Sequence, residues 1–151
     1  MKALWLALSL LLSAAAPLAY ADDCKPTNPT EIAGLFDRWN GSLQTGDPAR
    51  VVANYAQRSI LLPTLSNKPR LTPEDKIDYF EHFLAKKPVG QIDLRFIDIG
   101  CNSALDSGLY TFRFGDGSIA HARYTFTYAW DGKQWLITSH HSSLMPEPEP
   151  H

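Results

Sequence analysis

The sequence predicts an α+β fold, with helices in the first half of the chain and a long antiparallel meander in the second. Two observations carry this reading. Up to about Lys87, apolar residues recur at helical spacing behind proline-containing caps. From Ile92 onward they alternate with a period of two between glycine-rich turns. Helices segregated from strands in this way make an α+β order, whereas a βαβ chain would alternate them.

The elements follow in order. Asn28-Pro29-Thr30-Glu31 reads as an N-cap, a proline in the first helical position and an acid three residues after the cap. Ile32, Leu35, Phe36, Trp39 and Leu43 then follow on one helical face, and Gly46 stops the helix. Asp47-Pro48 restarts the device for a short helix carrying Val51, Val52 and Tyr55. Ile60-Leu61-Leu62 reads as a strand ended by Pro63. Thr72-Pro73-Glu74-Asp75 opens a third helix with Ile77, Phe80, Phe83 and Leu84 on its apolar side; Lys86 and Lys87 suit its C-terminal dipole. In the meander, Ile92, Leu94 and Phe96 alternate with Gln91, Asp93 and Arg95. A strand from about Ala104 to Phe114 turns at Gly115-Asp116-Gly117, the next runs from Ser118 to Trp130, and Asp131-Gly132 marks a hairpin into a last strand from Gln134 to about His141.

Flanking segments stand apart. Lys2, an apolar run from Ala3 to Ala16 and Ala19-Tyr20-Ala21 form a charged start, a core and an A-x-A site, the pattern of a signal peptide over residues 1–21. Pro17 breaks the run before it reaches membrane-spanning length. The mature domain is expected over 22–145, with a proline and glutamate tail at 146–151. The expected location is periplasmic or secreted.

At 151 residues there is room for one core. A hydrophobic share of 44% and an aromatic share of 11% are those of a globular chain. The formal charge of −2 becomes one unit more negative once Lys2 leaves with the leader, and no basic stripe is present. Nucleic acid and anionic membrane surfaces are therefore not expected partners. Two cysteines, Cys24 and Cys101, both lie in the mature part, and an even count in an oxidising compartment favours a disulfide between them.

Several side chains are candidates for a pocket. His140-His141 lie side by side near the end of the last strand, so they point to opposite faces and cannot share one metal ion. Simple parity groups His141 with Trp135, Ile137 and Ser139, and His140 with Leu136, Thr138 and Ser142. One of the two is expected to point inward, either as a proton-transferring or ligand-orienting imidazole or as a hydrogen-bonded structural or interface histidine. Arg123 lies mid-strand opposite in parity to Tyr124, Phe126, Tyr128 and Trp130. Such a guanidinium calls for a bound carboxylate or for an internal partner such as Asp98 or Asp106. Tyr110 is placed either to donate inside a pocket or to fill the core as an aromatic, and Arg95 and Arg113 are further candidate cations that alternation more often turns outward as ordinary surface charges. Asp37 and Asp98 have no second carboxylate at a defined spacing. His82, His121 and His151 are scattered without metal-ligand spacing, so no metal and no cofactor is expected.

Phe36-Asp37-Arg38-Trp39-Asn40, Thr45-Gly46-Asp47-Pro48 and Leu62-Pro63-Thr64 resemble the opening of nuclear transport factor 2-like domains. Ala122 to Phe126, Trp130 to Lys133 and Trp135 to Ser143 resemble a narrower group, the secreted bacterial relatives of the calcium/calmodulin-dependent protein kinase II association domain. The resemblance covers nearly all of the mature chain. It implies a cone-shaped, strongly curved sheet wrapped on about three helices, a pocket at the open end, and self-association through sheet faces. It also implies that His141 is the histidine that points inward. No dinucleotide motif and no kinase catalytic loop accompanies it. The expected function is an exported homo-oligomeric module that binds a small anionic molecule or serves assembly, with Arg123, His141, Tyr110, Arg95 and His140 as the binding residues. A cofactor-free isomerase, dehydratase or hydrolase using the same pocket, and a purely structural oligomer, are the alternatives.

Overall fold

A computed structural model describes residues 23–147, so the expected leader and the last residues of the tail lie outside it. Three helices, α1 (Pro29–Leu43), α2 (Pro48–Val52) and α3 (Pro73–Leu84), pack on a curled five-stranded sheet. Its strands are β1 (Tyr55–Leu62), β2 (Val89–Gly100), β3 (Ser103–Arg113), β4 (Ile119–Trp130) and β5 (Trp135–Leu144). The strand order is β1-β5-β4-β3-β2, with β1 parallel to β5 and every other pair antiparallel.

Each helix begins where its cap chemistry dictates. Asn28 accepts from the Glu31 amide, Asp47 accepts from the Ala49 amide, and Thr72 with Asp75 forms a full capping box, each followed by proline at the start of the helix. Tyr55 departs from expectation: α2 stops at Val52, and Tyr55 opens β1. From α1, the buried Ile32, Leu35, Phe36, Trp39 and Leu43 meet the inner sheet face, where Trp39 sets its edge against Phe80, Phe112 and Phe126. Arg38 ties α1 to the sheet by donating to Asn54 Oδ1 and to the Trp135 carbonyl. The buried Lys76 of α3 donates from Nζ to the Ser59 and Leu71 carbonyls, which pins the helix to β1.

Two irregularities decide which side chains face inward. Between Ile92 and Leu94 the β2–β3 register shifts, leaving Asp93 as an extra residue. Arg95, Ile97 and Ile99 therefore turn inward, while Leu94 and Phe96 stand 55% and 62% exposed on the outer face. Unbroken alternation would have done the opposite. A second shift, between Thr127 and Tyr128, inserts a residue in β5 before Ser139 and inverts the parity of everything after Ile137.

Cys24 and Cys101 are joined by a disulfide across a sequence separation of 77. It fastens the N-terminal segment to the β2–β3 turn, where the Lys25 amide donates to Asn102 Oδ1 and Lys25 Nζ lies 4.9 Å from the Trp130 ring centroid. Replacing both cysteines by serine should lower the unfolding free energy by about 2–4 kcal/mol, read from urea titration with and without reductant. Equal stability of the two forms would show that the bridge adds nothing.

Candidate functional site

The inner face holds three groups of polar side chains, and a cavity opens beside one of them. The first group lies under α1. Trp39 Nε1 donates to Tyr55 Oη (3.2 Å), which leaves the Tyr55 hydroxyl proton for His140 Nδ1 (2.8 Å). In the neutral imidazole the proton therefore sits on Nε2, which is buried without a partner among the described residues. The ring stacks on Phe126 at 4.0 Å and meets Trp39 edge-on at 5.3 Å. Burial in this aromatic box, with His141 adding a smaller repulsion, pushes the His140 pKa down to about 3. Such an imidazole stays neutral and structural at ordinary pH. Burial likewise raises the Tyr55 hydroxyl well above its usual range.

The second group is a hydroxyl relay. Tyr110 Oη donates to Ser142 Oγ (2.5 Å), which is also bonded to Thr64 Oγ1 (2.5 Å) in the loop after β1. Desolvation raises the Tyr110 pKa, so it remains a donor throughout the physiological range.

The third group is an inward ion pair. Asp106 is fully buried; its Oδ1 accepts from Arg95 Nε (3.2 Å) and from Tyr124 Oη (2.7 Å). Arg95 Nη2, Asp106 Oδ2 and Tyr128 Oη are buried without hydrogen-bond partners among the described residues, although Oδ2 is also 3.2 Å from Arg95 Nε. Desolvation raises the Asp106 pKa, against the opposing pull of Tyr124 and Arg95. The Arg95 guanidinium, still partly exposed, lies over the Phe36 ring.

The expected site residues are thus distributed over both faces of the sheet. Tyr110, Arg95 and His140 point inward. His141 and Arg123 are exposed on the outer face, which corrects the inward placement of His141: the β5 irregularity hands that position to His140. On the outer face Arg123 and His141 do lie in adjacent rows, since Arg123 pairs with Ser143 and Thr125 with His141. Arg123 Nε donates to Ser143 Oγ (3.2 Å), and neither Asp98 nor Asp106 is its partner, because Asp106 faces the other way toward Arg95. Sequence reasoning misses Asp106 as a site residue, although it falls in the inward series Ala104, Asp106, Gly108, Tyr110 and Phe112, where an acid among core residues is a visible signal. Arg113 is exposed at the end of β3.

The cavity lies where α3 and the loop after β1 leave the sheet uncovered. It measures about 300 Å³ and is walled by Tyr79, Phe83, Phe112 and Phe114, with Ala120 on its floor. Thr64, the end of the hydroxyl relay, lines one side, and His82 and Lys86 line another. His82 Nδ1 donates to the Asp78 carbonyl (2.8 Å), so Nε2 is the free nitrogen. Burial pushes the Tyr79 pKa up to about 12. Among the described residues no group of three or more potential metal ligands occurs, and no helix is long and apolar enough to cross a membrane.

Comparisons with known proteins fit this architecture. The sequence model of the calcium/calmodulin dependent protein kinase II association domain matches residues 28–146. A crystal structure assigned to that domain, from Xanthomonas campestris, is 44% identical with a TM-score of 0.78, covering 85% of this chain and 98% of the other. An NTF2-like protein of unknown function from Pseudomonas putida KT2440 is 20% identical (TM-score 0.68; 80% of this chain, 88% of the other). A protein from Parabacteroides distasonis bearing the name of a ketosteroid isomerase is 15% identical (TM-score 0.66; 83% and 94%). These last two share the fold alone. No curated protein matches the chain.

Proposed function

The chain belongs to the calcium/calmodulin dependent protein kinase II association-domain family, and on that footing we propose that it is an exported, self-associating module that holds a small acidic molecule in the aromatic cavity beside α3. The export rests on the leader pattern of residues 1–21, and the self-association on the family. The ligand rests on one observation, the cavity itself. Its size is at the lower end for small-molecule sites, its walls are aromatic rings, and its charged lining is cationic. An aryl or short alkyl acid matches that pattern: an apolar body against Phe83, Phe112 and Phe114, and a carboxylate toward Lys86 and His82. Lys86 forms no ion pair among the described residues and is free to take that role.

A screen of aryl and alkyl carboxylates by calorimetry tests the reading. Lys86→Glu should weaken the best binder at least about tenfold by replacing attraction with repulsion. Ala120→Phe should abolish binding by filling the cavity while the fold remains intact by circular dichroism. Binding that survives both changes would place the ligand elsewhere.

A second reading, a cofactor-free enzyme, draws support from Asp106. A carboxyl whose pKa is raised by burial, bonded to Tyr124 and reached through a partly exposed arginine, is suited to proton transfer. It ranks second because the aligned donors to Asp106 are both protein groups. Turnover lost in Asp106→Asn, with the fold retained, is the result that would promote it.

A further inference from the structure

Of the three polar groups on the inner face, the hydroxyl chain Tyr110–Ser142–Thr64 is the one that reaches the aromatic cavity, through Thr64 in its wall. Its direction follows from burial. The Tyr110 hydroxyl is buried and desolvation keeps it protonated, so its single proton goes to its one partner among the described residues, Ser142 Oγ (2.5 Å). Ser142 is itself buried. Having accepted from Tyr110, it has Thr64 Oγ1 (2.5 Å) as the acceptor for its own proton. Were Thr64 the donor instead, the buried Ser142 proton would be left unpaired, which costs more than a free proton at the half-buried end. The protons therefore run outward from core to cavity, Tyr110 to Ser142 and Ser142 to Thr64. The Thr64 hydroxyl proton comes last and has no acceptor among the described residues. Each hydroxyl that accepts is polarised into a better donor, so the last of the three is the strongest.

The cavity thus carries a cationic side, with Lys86 and His82, and a directed neutral donor on another side, with aromatic rings forming much of the remaining wall. Resting on the acidic-ligand reading above, we propose that Thr64 is the specificity-determining residue of this cavity, and that the ligand class is an aryl acid with a carbonyl group on its ring, the carboxylate toward Lys86 and the carbonyl oxygen accepting from Thr64 Oγ1. Solvent serves the Thr64 proton before binding. A ring without an acceptor displaces that solvent and leaves the proton unpaired, whereas a carbonyl oxygen replaces it. The selection therefore works chiefly against the wrong ligand. A carbonyl also suits the place better than a phenol, because a phenol brings a second proton while Thr64 Oγ1 already accepts from Ser142.

Calorimetry with meta- and para-acetylbenzoate against meta- and para-isopropenylbenzoate tests the assignment, since each pair differs only by a carbonyl oxygen in place of a methylene of the same shape. In the wild-type protein the better acetyl compound should bind about five- to tenfold more tightly than its alkene counterpart. Thr64→Val, which exchanges the hydroxyl for a methyl, should bring that ratio to about one, and Thr64→Ser should keep it. The infrared stretch of an isotope-labelled acetyl carbonyl should be lowered on binding to the wild type and to Thr64→Ser, and should lie at its apolar-solvent position in Thr64→Val. Should Thr64→Val fail to fold, the labelled carbonyl in wild-type protein decides by itself, and an apolar-solvent position there overturns the proposal. If none of the four acids binds the wild type, the acidic-ligand reading falls and this inference with it. Binding that weakens in Lys86→Glu yet shows no preference for the carbonyl, or a preference that survives in Thr64→Val, would leave that reading standing and overturn the role of Thr64.

Discussion

Lowering the pH from about 6.5 to 4.5 should destabilise the protein by about 2 kcal/mol, and His140 should account for most of it. The folded imidazole has its pKa pushed down to about 3, whereas in the unfolded chain it titrates near its usual value of 6.5. Between those two values the unfolded state binds a proton that the folded state refuses. Stability is therefore complete above about 6.5 and falls as the pH drops, levelling off only near 3. Asp106 acts in the opposite sense, because its raised pKa lets the folded state take up a proton more readily as the carboxylate range is approached. Asp75, Asp116 and Asp131, whose pKa values are lowered by hydrogen bonds, add to acid sensitivity only below the ordinary carboxylate range. The window from 6.5 to 4.5 is thus the histidine's own. Urea unfolding at intervals across it measures the slope. His140→Phe should cost about 1–3 kcal/mol at pH 7, since the Tyr55 hydroxyl loses its acceptor, yet its stability should be much flatter across the window. A wild-type curve already flat there would refute the assignment.

Gly108→Ala should be more damaging than any ordinary surface change, at about 4 kcal/mol or enough to prevent folding. A Cβ at Gly108 would lie 1.9 Å from the Leu94 carbonyl oxygen and 2.7 Å from its carbonyl carbon. Both are backbone atoms of the paired strand, so no rotamer change relieves the contact. Escape requires a shift of β2, and β2 is held by its pairing on both sides of Asp93. Moving it would also disturb Arg95, which sits opposite Gly108, and with it the ion pair to Asp106. The prediction is checked by soluble yield and thermal melting beside Gly34→Ala, where a Cβ meets nothing within 4 Å in the middle of α1. Equal behaviour of the two variants would show that the strands can part at this point without cost.

Much of the fold is legible because its signals are local. Asn28, Asp47 and Thr72 cap helices through contacts within three residues, and each is followed by a proline that cannot sit deeper in a helix. Asp131-Gly132 closes its hairpin by the same kind of short-range chemistry: Asp131 Oδ1 accepts from the Lys133 and Gln134 amides, and Gly132 takes a positive φ. The pattern misplaces Tyr55 for a local reason too. It continues the apolar spacing of Val51 and Val52, but pairing with β5 is worth more to it than another helical turn.

The site is less legible. Tyr110 falls inward as expected because β3 pairs with β4 without interruption from Ser103 to Arg113. His141 and Arg95 defeat the pattern because each lies beyond an irregularity. Alternation is a relative rule: one inserted residue reverses the facing of every residue after it. The cavity depends on elements far apart in sequence, with Thr64 from a loop, Phe83 and Lys86 from the end of α3, and Phe112 and Ala120 from the sheet.

The sequence alone therefore determined the order of elements, the helix starts and the turn positions, and it favoured the bonding of Cys24 to Cys101, since these need only neighbours along the chain or an even count of cysteines. Tertiary structure decided which histidine is buried, which arginine meets Asp106, and that Leu94 and Phe96 face outward. The reason is that strand register is fixed by contacts across the sheet. Gly108 leaves room for the Leu94 carbonyl only once the two strands are side by side, and nothing in the local sequence of β2 announces that its partner has made that room.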